Sequence, residues 1–243
     1  MHKKHYDQRW TKAQEYEVNH WKKLLKNKRP LDWYSWKAKE LEIFLIDNGF
    51  AHVLEVRKSK VLEIGSGPVG TVSAWPHGDR FALEPLYEVF EESTEFKKYR
   101  EFPVSYVEGV GENIPFPDKY FNLIIIDNVL DHTRNPKQVL SEAGRVLKDD
   151  GIIYLSLNIR SKLGLRIRDF LEEHFEFDKG HPHSFDLIKL MNTISASKLS
   201  IRAERMESYL DSFLRNLKEN PLRTLGKLAS CTSEKLYEAL ISH

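Results

Sequence analysis

The chain has 243 residues, enough to bury one α/β core and a small appended element without staples. Hydrophobic residues make up 41% and charged residues 30%, which excludes a disordered chain, and a formal net charge of +1 argues against a nucleic-acid partner. The single cysteine, Cys231, excludes a disulfide framework or a cysteine-based zinc site within the chain and reads as a structural thiol.

No stretch approaches the ~20 apolar residues of a membrane span. The start, Met1-His2-Lys3-Lys4-His5, lacks the apolar run of a signal peptide. The expectation is a cytoplasmic protein with no membrane partner. The sequence fixes no oligomeric state.

Residues 1–56 read as an N-terminal helical extension and 57–243 as the main domain. Trp10, Val18, Trp21, Leu24 and Leu25 follow helical spacing, Pro30 breaks the chain, and Trp33, Trp36, Leu41, Phe44 and Leu45 mark a second helix ending near Gly49. The tryptophans of this region either pack these helices onto the main domain or form a lid over a substrate pocket.

From Lys60 strands and helices alternate. Val61–Ile64 reads as a strand running into glycines and then a helix. Arg80–Leu83 reads as the next strand, Pro85–Tyr99 as a helix and Ser105–Val107 as a third strand. Leu123–Ile126 is an unbroken apolar run, as in a central parallel strand covered on both faces. Asn135 and Pro136 open a helix whose buried stripe is Val139, Leu140, Ala143, Val146 and Leu147. Asp150-Gly151 reads as the turn into a strand over Ile152–Leu157. Beyond it, Ser184–Ser197 looks helical and Leu199–Met206 extended. Arg215–Ala229 contains helical pieces, and Lys235–Ser242 is a last strand or a short helix. Strand-helix alternation with short connections means a doubly wound α/β sheet, mostly parallel.

Gly65-Ser66-Gly67-Pro68-Val69-Gly70 has the spacing G-x-G-x-x-G, where the backbone turns sharply and approaches a ligand closely. Dinucleotide and S-adenosylmethionine sites both use that spacing. Glu84 ends the second strand, where a carboxylate can accept from both ribose hydroxyls or simply cap the strand. Glu63 helps to choose between the cofactors. A negative charge beside the loop repels a pyrophosphate and suits a sulfonium with an ammonium group. The alternative is that Glu63 only braces loop amides.

The segment Val61-Leu62-Glu63-Ile64-Gly65-Ser66-Gly67-Pro68 resembles motif I of class I S-adenosylmethionine-dependent methyltransferases. Gly109–Ile124 resembles the run into that family's fourth strand, and Gly144–Gly151 the stretch before its fifth. The three pieces cover residues 60–157 in the right order. The nearest flavour is the type 11 branch. The short segments Asn128–Thr133 and Gly180–Phe185 look like relatives acting on sugars or cell-envelope glycans. The resemblance implies a Rossmann-like seven-stranded sheet whose last strand is antiparallel. It implies S-adenosylmethionine as cofactor, with Glu63, Gly65 and Gly67 around the methionine end, Gly70 also in the cofactor-binding set and Glu84 on the ribose. Gly111 and Glu112 would lie near the adenine, and Asp127 and Asn128 near the sulfonium. Val110 departs from the family's usual aspartate, so the adenine amine contact must come from elsewhere. Asn122 and Asp149-Asp150 depart at turn positions.

A hydroxyl acceptor benefits from a base, and His132, after the fourth strand, is the candidate, oriented by Asp131; otherwise it packs a helix start or caps a turn. His181 and His183 either face the acceptor or pack a loop. Asp186 is the one carboxylate near them in sequence, and no spacing demands a metal, so none is expected. Arg160, Lys162, Arg166 and Arg168 are either a solvated helix face or contacts to an anionic acceptor. The reading is a methyltransferase acting on a small-molecule or glycan hydroxyl. The alternatives are a catalytically silent cofactor-binding module and an NAD-dependent oxidoreductase.

Overall fold

The computed structural model describes residues 2–26, 31–55, 59–175, 180–208, 210, 213, 214, 217, 218 and 234–243. The strands are β1 (Lys60–Ile64), β2 (Asp79–Leu83), β3 (Ser105–Val107), β4 (Phe121–Asp127), β5 (Leu147–Arg160), β6 (Ser200–Met206) and β7 (Glu234–Ser242). They form one sheet in the order β3-β2-β1-β4-β5-β7-β6. Neighbours pair parallel from β3 through β5, while β7 runs antiparallel to β5 and β6. The seven strands and the reversed last one are those the motif resemblance implied.

The helices are α1 (His2–Lys26), α2 (Trp33–Asp47), α3 (Tyr87–Glu91), α4 (Thr94–Lys97), α5 (Pro136–Val146), α6 (Lys162–Phe175) and α7 (Leu187–Ala196). Asn135 caps α5, its side chain accepting from the Gln138 amide, with proline at the first position. Asp186 caps α7 in the same way through the Lys189 amide.

Alternate side chains of each strand point to opposite faces, so the sheet has two cores. Leu62, Ile64, Ile124 and Ile126 pack with Val139 and Leu140 of α5 and Leu190 of α7. Val61, Leu123 and Ile125 pack with Tyr34, Ala38, Leu41, Phe44 and Leu45 of α2. Glu63 shares this second face. The helices expected as an appended extension therefore supply the cover of one sheet face, with Leu45 wholly buried. The expected division between 56 and 57 lies outside the described residues.

Four expectations change. The helix after the glycine loop is a single 3-10 turn, Thr71–Ala74. Trp75 is extended because Pro76 disfavours a helical residue before it. That turn is short, and α2 fills the space above it. The helix over Pro85–Tyr99 splits into α3 and α4 at Ser93, whose backbone is extended. Phe90 and Phe96 would face different sides of one continuous helix; the break buries both, in edge-to-face contact 5.8 Å apart. Asp150-Gly151 lies inside β5 as a bulge, where the pairing steps from Phe121 with Leu147 to Leu123 with Ile152. The basic stretch is not one face: Arg160 and Arg168 are buried, whereas Lys162 and Arg166 are exposed. Arg160 pairs with Glu234 across β5 and β7, and Arg168 donates to the His181 carbonyl at 2.6 Å. Nearly all of Arg215–Ala229, and Cys231, lie outside the described residues.

Candidate functional site

The strand order reverses between β1 and β4, and ligands of open α/β sheets bind at that point, beyond the carboxyl ends of the strands. Register sets the groups there level. Ile64 pairs with Leu83, Glu63 with Ile125 and Asp127 with Ser156. Gly65, Glu84 and Asp127 thus emerge around one crevice.

Gly65 has φ +70°, and its amide donates to the Leu83 carbonyl at 2.7 Å. A Cβ there would stand 2.8 Å from Val129. Only glycine fits both the backbone and the contact. The Gly67 amide donates to Glu84 Oε2 at 2.8 Å and the Leu86 amide to Oε1 at 2.9 Å. Glu84 is therefore a buried brace for the glycine loop. Each oxygen keeps a second lone pair for a ligand. Glu63 Oε2 accepts from the Val72 amide at 2.7 Å. Burial pushes the Glu63 carboxyl up to about 8 against the pull of that amide. Burial likewise pushes Glu84 up to about 7 against the amides of Leu86 and Gly67.

Gly70 departs from the expectation. It does not line the cleft; a Cβ on it would lie 2.6 Å from Glu63 Oε2, so glycine makes room for that carboxylate. Gly111 lies over the core, where a Cβ would meet Ile64 at 2.9 Å and Val139 at 3.0 Å. Glu112 Oε1 accepts from the amides of Arg134 and Asn135 at 2.7 and 3.0 Å, tying its loop to the start of α5.

At the end of β4, Asp127 accepts from Lys37 of α2 at 2.5 Å and from the Ser156 hydroxyl. Asn128 takes a left-handed backbone, φ +57°, and its Oδ1 accepts from the Asn158 side chain at 2.9 Å. The next turn, Leu130–His132, is 3-10. It sets Asp131 Oδ1 3.9 Å from His132 Nε2, although sequence neighbours usually diverge. His181 comes from the loop before α7, with its Nε2 3.8 Å from Asp131 Oδ2 and its ring 4.5 Å from that of His132. His183 is turned elsewhere. Its amide donates to the Asp131 carbonyl and its ring meets the Arg134 carbonyl at 3.2 Å. Burial holds its imidazole below the usual range. It does not line the cleft, because these bonds stitch its loop to the 131–134 turn.

The cleft measures about 1180 Å³. Glu63, Gly65, Gly67, Glu84, Gly111, Glu112, Asp127, Asn128, His132 and His181 all line it. The sequence reading left the N-terminal tryptophans open as packing or as a lid and assigned no residue to the cleft's outer wall. Trp10, Gln14, Glu17 and Trp21 of α1, and Tyr34 and Lys37 of α2, also line it. The signal was present: positions 10, 14, 17 and 21 form one helical stripe with polar members among the tryptophans. Trp21 covers Gly67, whose Cβ would reach its ring at 3.2 Å, and donates to Glu17 at 2.7 Å. The Arg134 guanidinium stacks 3.7 Å over the Trp10 ring, closing the wall against the α5 side.

The residues fit a cationic adenosyl cofactor. The glycines leave bare backbone on the floor, and Glu84 has unused lone pairs at the end of β2. Six carboxylates, Glu17, Glu63, Glu84, Glu112, Asp127 and Glu234, line the cleft against two cations, Lys37 and Arg160, whereas a pyrophosphate needs the opposite balance of charge.

The fold and the matched segment are similar to those of class I S-adenosylmethionine-dependent methyltransferase domains. Residues 62–155 match the model of the methyltransferase domain family. An uncharacterised methyltransferase of Schizosaccharomyces pombe is 29% identical over 108 residues, covering 40% of this chain and 39% of that protein. The uncharacterised methyltransferase YcgJ of Bacillus subtilis is 30% identical over 95 residues, covering 38% of each. The matched segment thus spans about two fifths of these relatives' length. The YcgJ crystal structure superposes with a TM-score of 0.55 at 20% identity, covering 81% of this chain and 96% of that one. A Haemonchus contortus phosphoethanolamine N-methyltransferase, solved with S-adenosylhomocysteine, superposes at 0.53 with 12% identity, covering 77% and 49%. Among the described residues no helix is long and apolar enough to cross a membrane.

Proposed function

We propose that this protein transfers a methyl group from S-adenosylmethionine to a hydroxyl of a small molecule or glycan. The observation that carries the reading is the convergence of the glycine loop, the carboxylates and an aspartate-flanked histidine on one cleft.

When bound, the cofactor would supply a methyl carbon activated by a positively charged sulfur, open to in-line attack by the acceptor oxygen with a neutral thioether as the leaving group. In this reading Gly65, Gly67 and Glu63 hold the methionine end, and Glu84 uses its free lone pairs on the ribose. Gly111 and Glu112 flank the adenine, and Asp127 and Asn128 face the sulfonium. The His132 imidazole takes the hydroxyl proton and passes it to water. The Asp131 carboxylate beside its Nε2 stabilises the cation formed on the way. Trp21 and the rest of the α1 stripe exclude water as a lid.

Calorimetry with S-adenosylmethionine, S-adenosylhomocysteine and NAD tests the cofactor. Binding of the first two and not the third is expected; preference for NAD rejects the reading. Turnover is then followed as S-adenosylhomocysteine release across hydroxylated sugars, nucleotide sugars, phenols and amines. Turnover confined to amines would overturn the hydroxyl acceptor and the need for a base.

A further inference from the structure

We propose that Asp131, His132 and His181 bind a divalent transition metal of the zinc class at the inner end of the cleft. The sequence offered Asp186 as the carboxylate nearest the histidines in the 180s loop, but that residue is occupied as the cap of α7. The fold instead brings Asp131, from the turn after β4, against His132 and His181. One ligand atom from each of the three lies within 4.8 Å of the others.

The observation that points to a ligand is on the aspartate. The Asp131 side chain is nine-tenths buried, and its Oδ1 has no hydrogen-bond partner among the described residues. A buried carboxylate oxygen left so is costly, and such groups are paired or coordinate metals. The nearest donors do not satisfy it. His132 Nε2 is 3.9 Å from Oδ1, beyond a hydrogen bond. The other oxygen is 3.8 Å from His181 Nε2. An ion between them accounts for the spacing. Zinc bonds of about 2.0–2.1 Å put tetrahedral ligand atoms about 3.3 Å apart, within a small side-chain rotation of what is seen.

Two imidazoles and one carboxylate are the donor set of a zinc-class ion; magnesium and calcium take oxygen ligands. Three protein ligands leave a fourth position. His132 and His181 line the cleft whereas Asp131 stands behind them, so the open position faces the acceptor. A hydroxyl bound there loses its proton to water more readily, and His132 then serves as a ligand instead of a base. This role rests on the methyltransferase reading; the binding of metal does not.

The test uses the full chain, stripped of metal, titrated with Zn2+ by calorimetry and with Co2+ by visible absorption. One equivalent of each is expected, with Zn2+ displacing Co2+, Mg2+ failing to compete, and Zn2+ raising the melting temperature. His181→Ala should weaken Zn2+ binding by at least ~100-fold while retaining S-adenosylmethionine binding. His174→Ala, at an exposed residue on α6, should bind as the parent does, which separates this site from stray histidine binding. X-ray absorption of the parent zinc form reads the ligands without any variant. Two imidazoles with oxygen are expected. A thiolate, a single imidazole, or no stoichiometric metal overturns the site and assigns the gap to water. A parent chain that binds S-adenosylmethionine but takes up no metal would sink this proposal alone; one that takes up metal but not S-adenosylmethionine would sink the function alone.

Discussion

The two ends of the cleft are built on opposite terms. At the β1–β2 end, Glu84 gives both oxygens to loop amides, and Glu63 Oε2 takes the Val72 amide. At the β4 end, Asp131 is almost as buried yet leaves one oxygen unbonded. A carboxylate satisfied by backbone holds a loop in shape and meets a ligand with what capacity remains. One left unsatisfied gains a partner only when something binds. The first end is assembled from residues close in sequence; the second needs the turn after β4 and the loop before α7.

The contrast can be broken by mutation. The largest effect is expected for Glu84→Ala, which strands two amides under the glycine loop. Each unsatisfied group costs about 1–3 kcal/mol, so denaturant melts should show a clear loss and calorimetry a cofactor affinity reduced roughly tenfold to a hundredfold. A variant as stable and as tightly binding as the parent would mean that Glu84 braces nothing. Leu45→Ala tests whether α2 belongs to the core; it should cost about 2–5 kcal/mol, and a cost under 1 would make α2 an accessory. Asp131→Asn sharpens the comparison by going the other way. It removes the charge of a buried carboxylate that has one oxygen without a hydrogen bond among the described residues, so the metal-free melting temperature should hold or rise while turnover falls by roughly 10²–10⁴. If stability falls as for Glu84→Ala, the two ends do not differ in kind.

The smallest effect is a dependence on pH. The folded-state values of Glu63 and Glu84, about 8 and about 7, lie above the ordinary 4.5. Between about 4.5 and 8 the folded chain therefore holds more protons than the unfolded one, and stability falls as pH rises through that window. A cation in the cleft favours the ionised forms. S-adenosylmethionine binding at pH 6.5 should release roughly one proton, read from calorimetry in buffers of different ionisation enthalpy. Proton uptake would contradict a cationic ligand beside these groups.

Much of the sheet was legible because its signals are local. The apolar run over Leu123–Ile126 and the cap at Asn135 with Pro136 fix their elements through contacts within a few residues. So does the glycine spacing at Gly65 and Gly67. Gly70 shows the limit, since its spacing matches the motif but its reason is the carboxylate of Glu63 behind it. The helix expected across Pro85–Tyr99 failed because two phenylalanines, Phe90 and Phe96, share one core, and burial of both outweighs helix continuity.

From the chain alone came the succession of strands along the sequence and the acidic glycine floor, since periodicity, caps and turn residues act over one element at a time, while the reversed last strand came from the motif resemblance. Tertiary structure decided which distant groups meet. It set α1 as the cleft's outer wall, drew Lys37 to Asp127, turned His183 away and brought His181 to Asp131. Those outcomes depend on where separate loops land once two sheet faces have been covered, and no local propensity carries that information.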